Sequence, residues 1–372
     1  MTQNRRKKTA RAATLADVGR AAGVSAMAAS AVLNAARTSS RIAPETRKRI
    51  LQAAARLHYR PNAAARALAS RRMNTIGVAV VITDGELNHY FLEIFNGILE
   101  AAARHEQNTT VFTLHDWGRD PVRLHGMCDG RIDGLILVAP TLRREAAKLL
   151  PEHTPFVAIH ANATLPSVIN IETDEESGAY EMVRHLIAQG HRRIMHISGN
   201  PTLIGAARRI RGYKRALAGA RIRFDADLLV PGEFSLKTGR DALRAWLKRH
   251  VGRPLPHAIF CASDGIALGG LEALAEMGLC VPDDISVAGF DDTLAARTTV
   301  PQLTTVRQPL RAMGQRAVEV LLARIAEQNG ESAPVPIKPV VFPVGLVLRA
   351  SVGPPPVAQR IVPSPRRIPD KT

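Results

Sequence analysis

Residues Thr14–Asn34 read TLADVGRAAGVSAMAASAVLN, and how this stretch folds decides how the rest of the chain is read. Thr14 suits a helix N-cap, because its hydroxyl can accept a backbone N–H two or three residues on. Asp17 stands three positions later, the spacing of a capping box. Leu15, Val18, Ala21 and Ala22 then fall on one helical face, Gly23 supplies the free backbone that a tight turn needs, and Ser25 offers a second N-cap. The expected result is helix, short turn, helix. In the second helix Ala29, Val32 and Leu33 should face inward. Ala26, Met27, Ser30 and Ala31 should face outward, as a small-residue surface slim enough for a DNA major groove.

The rival reading is an ordinary αα-hairpin, and charge separates the two. Residues 1–72 carry 16 Lys and Arg against 2 acidic residues, Asp17 and Glu45, a net of +14 out of the whole chain's +17. Residues 73–350 carry 30 of each sign, and the last 22 residues carry 4 against 1. A solvated surface mixes signs, whereas a single-sign field confined to one end is the footprint of a polyanion partner.

The linked motifs Thr14-Leu15-Ala16-Asp17-Val18, Ala22-Gly23-Val24-Ser25, Val32-Leu33-Asn34, Pro44-Glu45-Thr46-Arg47, Tyr59-Arg60-Pro61-Asn62 and Ala65-Arg66 resemble the DNA-binding end of the lac-repressor (LacI/GalR) family. The similarity continues to about Ser351. It implies an all-α helix-turn-helix module with a hinge helix, followed by an α/β, two-lobed, periplasmic-binding-protein-like effector domain of doubly wound parallel sheets. With the outward face of the second helix, it makes Thr14, Ser25, Ala26, Met27, Ser30, Ala31, Asn34, Arg60, Asn62, Ala65 and Arg66 the candidate DNA contacts. Leu68 matches the residue that wedges into the minor groove. Three departures from the family pattern stand out here: Ala43 where a capping Ser is usual, His58 where a helix-ending Gly is usual, and Ala31 where many relatives carry an Arg. The first two should weaken the module, His58 by having to enter the left-handed region.

In chain order, residues 1–13 form a basic arm without apolar period, expected to be disordered, and 14–60 the DNA-binding module. Its third helix starts with Pro44 at the first position and sets Ile50, Leu51, Ala54 and Leu57 on one face. Residues 61–72 hold AAARALAS, too short to be a stable helix alone and expected to order against DNA. From Thr75, the apolar runs TIGVAVVI, NTTVFTLH, DGLILVA, PFVAIH, RRIMHISG, HAIFCAS and DISVAGF alternate with amphipathic stretches near 90–105, 175–189, 208–218, 237–249, 264–276 and 309–327. That βαβ rhythm predicts parallel sheets covered on both faces. By the resemblance, residues 73–351 make two lobes joined by three crossovers, lobe 1 at about 73–172 and 307–337 and lobe 2 at about 173–306 and 338–351. The Pro-rich, basic tail 352–372 is expected to be disordered, and it shows no leucine heptads, so no tetramer-forming coil is expected, while binding to an approximately palindromic operator implies a homodimer.

Ligands of open α/β sheets lie beyond the carboxyl ends of the strands. There the resemblance matches Asn88, Tyr90 and Phe91, then Arg209 in Arg-x-x-Gly-Tyr, Ser263, Asp264 and Asp291 to effector-contacting positions. His160 stands where several relatives carry Asp. A carboxylate and an Arg converging on a cleft suit the paired hydroxyls of a sugar. The expected partners are therefore double-stranded operator DNA, a small carbohydrate effector and a second copy of the chain.

An enzyme is not expected. The sequence has no Walker loop, no G-x-S-x-G, no H-E-x-x-H and no G-x-G-x-x-G after a strand. Lys237-Thr238-Gly239 has no accompanying S-x-x-K, and Asp291-Asp292 reads as a ligand-binding carboxylate rather than an acid/base pair. Cys128, Cys261 and Cys280 are widely spaced and odd in number, so neither a disulfide framework, a metal site nor a cofactor is expected. No uncharged apolar run reaches 18 residues, so no membrane span is expected. The basic start is followed by a charged amphipathic stretch instead of an export signal, so the chain is expected in the cytoplasm. Two alternatives stay open at this stage: an architectural DNA-binding protein without an effector, and a solute-binding protein without a DNA role.

Overall fold

The computed structural model describes residues 12–33, 42–60, 72–82, 88–117, 121–142, 150–163, 165, 167–358 and 360–363, and the chain divides into two compact units, Met1–Asn74 and Thr75–Thr372. The first unit holds α1 (Leu15–Ala22), α2 (Ala26–Leu33) and α3 (Pro44–Arg56). Its ends form as the sequence dictates. The Thr14 side chain accepts the Asp17 N–H at 3.3 Å while the Asp17 carboxylate accepts the Thr14 N–H at 3.0 Å, a closed capping box. Ser25 Oγ accepts the Ala28 N–H at 3.1 Å and starts α2. Gly23 turns the chain at φ +67°, and a Cβ on Gly19 would sit 2.8 Å from the Val24 carbonyl, so the turn closes only on two small residues.

Val18, Ala22, Ala29, Val32, Ile50, Ala53 and Ala54 form one small core, with Leu15, Leu33, Leu57 and Tyr59 packed against it. Two inward positions read from the sequence are corrected: Ala21 is exposed, and Leu51 is 50 % exposed with Ala53 buried in its stead. The inward stripe of α3 is thus 50, 53, 54 and 57, the regular i, i+3, i+4, i+7 pattern. As expected, Ala43 gives α3 no side-chain cap, and His58 takes φ +49°. Around His58 the chain makes a Schellman end, Tyr59 N–H to Ala54 O at 2.9 Å and His58 N–H to Ala55 O at 3.1 Å.

The second unit contains two six-stranded sheets built to one plan. The first runs β11 (Val340–Phe342), β5 (Ile169–Thr173), β4 (Phe156–Ile159), β3 (Gly134–Val138), β1 (Thr75–Val81), β2 (Asn108–Leu114), all parallel. The second runs β12 (Gly345–Val347), β10 (Thr304–Arg307), β9 (Ser286–Asp291), β8 (Ala258–Cys261), β6 (Ile194–Ile197), β7 (Leu229–Val230), with only β12 antiparallel. Helices α4 (His89–Arg104), α5 (Pro121–Met127) and α11 (Leu310–Gln328) cover the first sheet. Helices α6 (Glu175–Ala188), α7 (Ile204–Gly219), α8 (Leu236–Arg249) and α9 (Asp264–Glu276) cover the second, whose β9 leads into the short α10 (Leu294–Thr298). With helices on both faces, β3, β4, β6, β8 and β9 are buried at every position, which is why they read as unbroken apolar runs.

The chain passes between the sheets three times: β5 to α6, β10 to α11, and β11 to β12. Because β11 pairs in register with β5, lobe 1's returning segment extends through Phe342, past the expected 337. The tail also departs from expectation. Within 352–363 the described residues pack on the second lobe: Val362 is 1 % exposed in the apolar core, Val362 N–H donates to Arg253 O at 2.9 Å, and His191 Nε2 meets Gly353 O at 2.9 Å. Proline content suggested disorder there, but Pro disfavours only helix and central strand, not a strap that lies along a surface. The segment expected as a hinge helix and the far tail lie outside the described residues.

Candidate functional site

In the first unit, Ser25, Ala26 and Met27 open α2 with their side chains exposed, Met27 by 81 %, and Arg60 is exposed just past α3. Ser30 is half-buried, and Ala31, expected outward, is buried at 9 %. The sequence misled here because α2 reads AMAASAVL, so apolar on all sides that periodicity cannot mark a face. Thr14 is committed to its capping box. Asn34, Asn62, Ala65, Arg66 and Leu68 lie outside the described residues.

In the second unit the carboxyl ends of the sheet strands bring most of the expected effector residues together. Tyr90 enters in the first turn of α4, His160 follows β4, Thr173 ends β5, Asp291 ends β9, and Gln308 follows β10. They join in one row: Tyr90 Oη to His160 Nδ1 at 2.6 Å, His160 Nε2 to Thr173 Oγ1 at 3.3 Å, Thr173 Oγ1 to Gln308 Oε1 at 2.6 Å, and Gln308 Nε2 to Asp291 Oδ1 at 2.7 Å. Phe91 meets the Tyr90 ring edge-on at 5.3 Å. His160, Asp291 and Asp292 hold φ of 50°, 132° and 58°, backbone that L-residues adopt only where the surroundings over-determine it.

Arg209, on α7, donates from Nη2 to Glu175 Oε1 at 2.8 Å and from Nη1 to the Ala262 carbonyl, and its guanidinium lies 4.0 Å from the Phe290 ring centroid and 5.3 Å from that of Phe234. Its Nε has no partner among the described residues although it is buried. Arg208 bridges the lobes by pairing with Glu172 at 3.1 Å.

Burial, then the charge of Asp264, push the Asp291 carboxyl up to about 8. Burial drives His160 down to about 4, so its ring is neutral at physiological pH. The next residue, Asp292, behaves oppositely. Arg349 at 2.5 Å, Arg307 at 2.6 Å and Arg297 at 3.3 Å surround its carboxylate and outweigh burial, holding its pKa below the usual range and tying β9, β10 and the chain after β12 together.

Three expected contacts serve the framework instead. Asn88 Oδ1 caps α4 by accepting the Phe91 N–H at 3.1 Å, and Ser263 Oγ caps α9 by accepting the Ile266 N–H at 3.2 Å. The Asp264 carboxylate accepts from Thr293 N–H at 2.8 Å, Thr293 Oγ1 at 3.0 Å and Thr305 Oγ1 at 2.6 Å. Conversely, sequence reasoning missed Thr173, Glu175 and Gln308. Glu175 carried a signal, an acidic residue just after the Asp174 N-cap of α6 and hence at a crossover. A cavity of about 340 Å³ opens beside the cluster, lined by Glu172, Thr173, Glu175, Arg208, Arg211 and Arg215 among others.

A helix-turn-helix unit joined to two like lobes, with a polar cluster where the lobes meet, defines a regulator of the DNA-binding, ligand-cleft class. The profile of "Bacterial regulatory proteins, lacI family" matches residues 14–62, and that of the "Periplasmic binding protein-like domain" matches 183–352. The chain belongs to the lacI family of bacterial regulatory proteins.

It is 32 % identical over 345 residues to the HTH-type transcriptional repressor PurR of Aliivibrio fischeri, covering 91 % of this chain and 98 % of that one. It is also 32 % identical over 341 residues to the ribose operon repressor of Haemophilus influenzae, with the same coverage. Among solved structures, the lac repressor dimer bound to operator and the anti-inducer ONPF superposes with a TM-score of 0.77 at 29 % identity, over 92 % of this chain and all of that one. The transcriptional regulator CelR–cellobiose complex superposes at 0.67 and 29 % identity, over 91 % and 99 %. These relatives are transcriptional regulators, not enzymes. No helix among the described residues is long and apolar enough to cross a membrane.

Proposed function

We propose that the chain is a cytoplasmic transcriptional repressor that binds an approximately palindromic operator as a homodimer, catalyses no reaction, and holds a small effector of the carbohydrate class between its lobes. The carrying observation is the polar cluster at the strand ends, where the half-buried Tyr90 and His160 from lobe 1 meet the buried Asp291 from lobe 2 through side chains of two crossovers. A ligand held there touches both lobes, so its binding energy depends on how they are set. By linkage, ligand and DNA then change each other's affinity by the same factor.

Carboxyl and guanidinium groups beside the aromatic rings of Tyr90, Phe91 and Phe234 suit a sugar. A hydroxyl on the Arg209 guanidinium makes a charge-assisted bond of roughly 1.5–3 kcal/mol, the Asp291 carboxyl adds a further hydrogen-bonding group, and the sugar's C–H faces lie on the rings. The cellobiose complex among the structural neighbours and the ribose operon repressor among the relatives favour the same class.

The test is thermal unfolding of the full chain against ribose, cellobiose and other unphosphorylated sugars, in the native protein and in Asp291→Asn. A binder present at about 100 times its Kd adds roughly 2.7 kcal/mol. Stabilisation that Asp291→Asn abolishes supports the reading; a panel without a binder, or a binder indifferent to Asp291, counts against it.

A further inference from the structure

The row from Tyr90 to Asp291 has a direction, set by the Gln308 amide, whose Oε1 faces Thr173 and whose Nε2 faces Asp291. The Thr173 hydroxyl owns one hydrogen, and at 2.6 Å from Gln308 Oε1, an oxygen that can only accept, it must donate there. Thr173 Oγ1 is left as an acceptor towards His160 Nε2, 3.3 Å away, so Nε2 must carry the ring hydrogen. The neutral ring has one N–H, so Nδ1 is bare and accepts from the Tyr90 phenol at 2.6 Å. At the other end the Gln308 amide presents N–H to Asp291 Oδ1 at 2.7 Å. Four hydrogen bonds thus point the same way, from lobe 1 to lobe 2. Bonds so chained polarise one another.

The two middle residues are the ones the sequence did not single out. Thr173, 1 % exposed, ends β5 on one crossover, and Gln308, 3 % exposed, follows β10 on another. The Gln308 backbone is tied to the same partner, its N–H donating to Asp291 O at 3.2 Å.

We propose that Thr173 and Gln308 are positioning residues of the interlobe site, the central links of a one-way hydrogen-bond chain that holds His160 as its Nε2–H tautomer and Asp291 as an acceptor. The proposal rests on the reading of this cluster as the effector site, but the chain stands or falls without any ligand. Its consequence is that a ligand group engaging Asp291 or Gln308 in one lobe alters what Tyr90 and His160 offer in the other. If Gln308 loses its acceptor oxygen, the Thr173 hydroxyl is free to turn and donate to His160 Nε2. The ring hydrogen then moves to Nδ1 and Tyr90 becomes the acceptor.

The experiment is a long-range proton–nitrogen NMR spectrum of the full chain with nitrogen-labelled histidine at neutral pH, the His160 signals assigned by their loss in His160→Gln. The expected result is the Nε2–H tautomer in the native chain and the Nδ1–H tautomer in Gln308→Met, two links away, with Thr173→Ser keeping the native form because it keeps the hydroxyl. A native chain with the Nδ1–H tautomer overturns the proposal whatever the variants do. So does a Gln308→Met spectrum in which His160 is unchanged. Should Gln308→Met fail to fold, Thr173→Val takes its place: loss of the shifted, exchange-protected Nε2–H signal is expected, and an unaltered signal overturns the proposal. A sugar panel without a binder leaves these outcomes untouched, so failure of the effector reading is separately visible.

Discussion

The third helix of the DNA-binding unit is weak at both ends, and repairing both should stabilise that unit alone. Ala43 has the backbone of an N-cap, φ −57° and ψ 144°, but no oxygen to offer. In Ala43→Ser the hydroxyl can accept the Thr46 N–H, a gain of ~1 kcal/mol. At the other end His58 holds φ +49°, a left-handed conformation costing an L-residue roughly 1–2 kcal/mol. His58→Gly removes that cost but frees the unfolded chain by about 0.5–1 kcal/mol, leaving a net gain of ~0.5–1 kcal/mol. The two sites stand a helix length of about 20 Å apart and share no partner, so the gains should add to ~1.5–2 kcal/mol.

Hydrogen exchange followed by mass spectrometry on the full chain reads this locally. Amides of α3 should exchange about 10–30 times more slowly in the double variant, while those of β3 are unchanged. Faster or equal exchange in α3 would refute the reasoning, since it would mean that His58 is held by contacts worth more than its strain.

Further outcomes follow from the second unit and from α2. Asp291 has a folded pKa pushed up to about 8 against 3.8 for the free group, so between those values the folded chain holds a proton that the unfolded chain releases. Its contribution is complete below the lower value and is lost as pH rises towards the upper; Asp291→Asn should therefore flatten the fall in melting temperature between about pH 6 and 8. Val362→Ala, at a 1 % exposed position in the strap, should cost roughly 1–3 kcal/mol in urea unfolding, where a disordered tail would cost nothing. Met27→Arg, at 81 % exposure, should leave stability within about 0.5 kcal/mol while changing the preferred half-site in a binding-site selection; Ala31→Arg, at a buried position, should lower the unfolding midpoint.

Why some of this was legible beforehand and some was not has physical causes. Caps and turns are local chemistry, so Thr14 with Asp17, Gly23 and Ser25 could be read from spacing alone, while the strained His58 was legible only against the Gly that the family pattern has there. Strands buried on both faces announce themselves as apolar runs. By contrast β10, TTVR, and the three-residue β11 and β12 are made of strand-favouring residues but are too short to show a period, and only their neighbours in the sheet make them strands. The site divided along the same line. Tyr90, His160, Arg209 and Asp291 came from family resemblance, but what each bonds to was invisible because the partners are 70, 34 and 17 residues away in sequence or reach the site through a crossover. Arg209 was expected to face a ligand, and its carboxylate partner in the fold is Glu175. Asp264 and Ser263 sit where a ligand contact was expected, yet their oxygens are spent on Thr293, Thr305 and the start of α9. An oxygen's chemistry can be read from its residue type, but its direction depends on the fold.

The central claim is that the positive field of residues 1–72 serves to hold α2 against duplex DNA. The most direct test is the affinity of the full chain for a duplex it selects from random sequence, measured between roughly 50 and 200 mM salt beside a chain that lacks residues 1–72. The account predicts a loss of about 10³–10⁵ in affinity across that range, as expected for some 6–10 phosphate contacts, and no binding by the shortened chain. Binding indifferent to salt, or equal in the two chains, would contradict it.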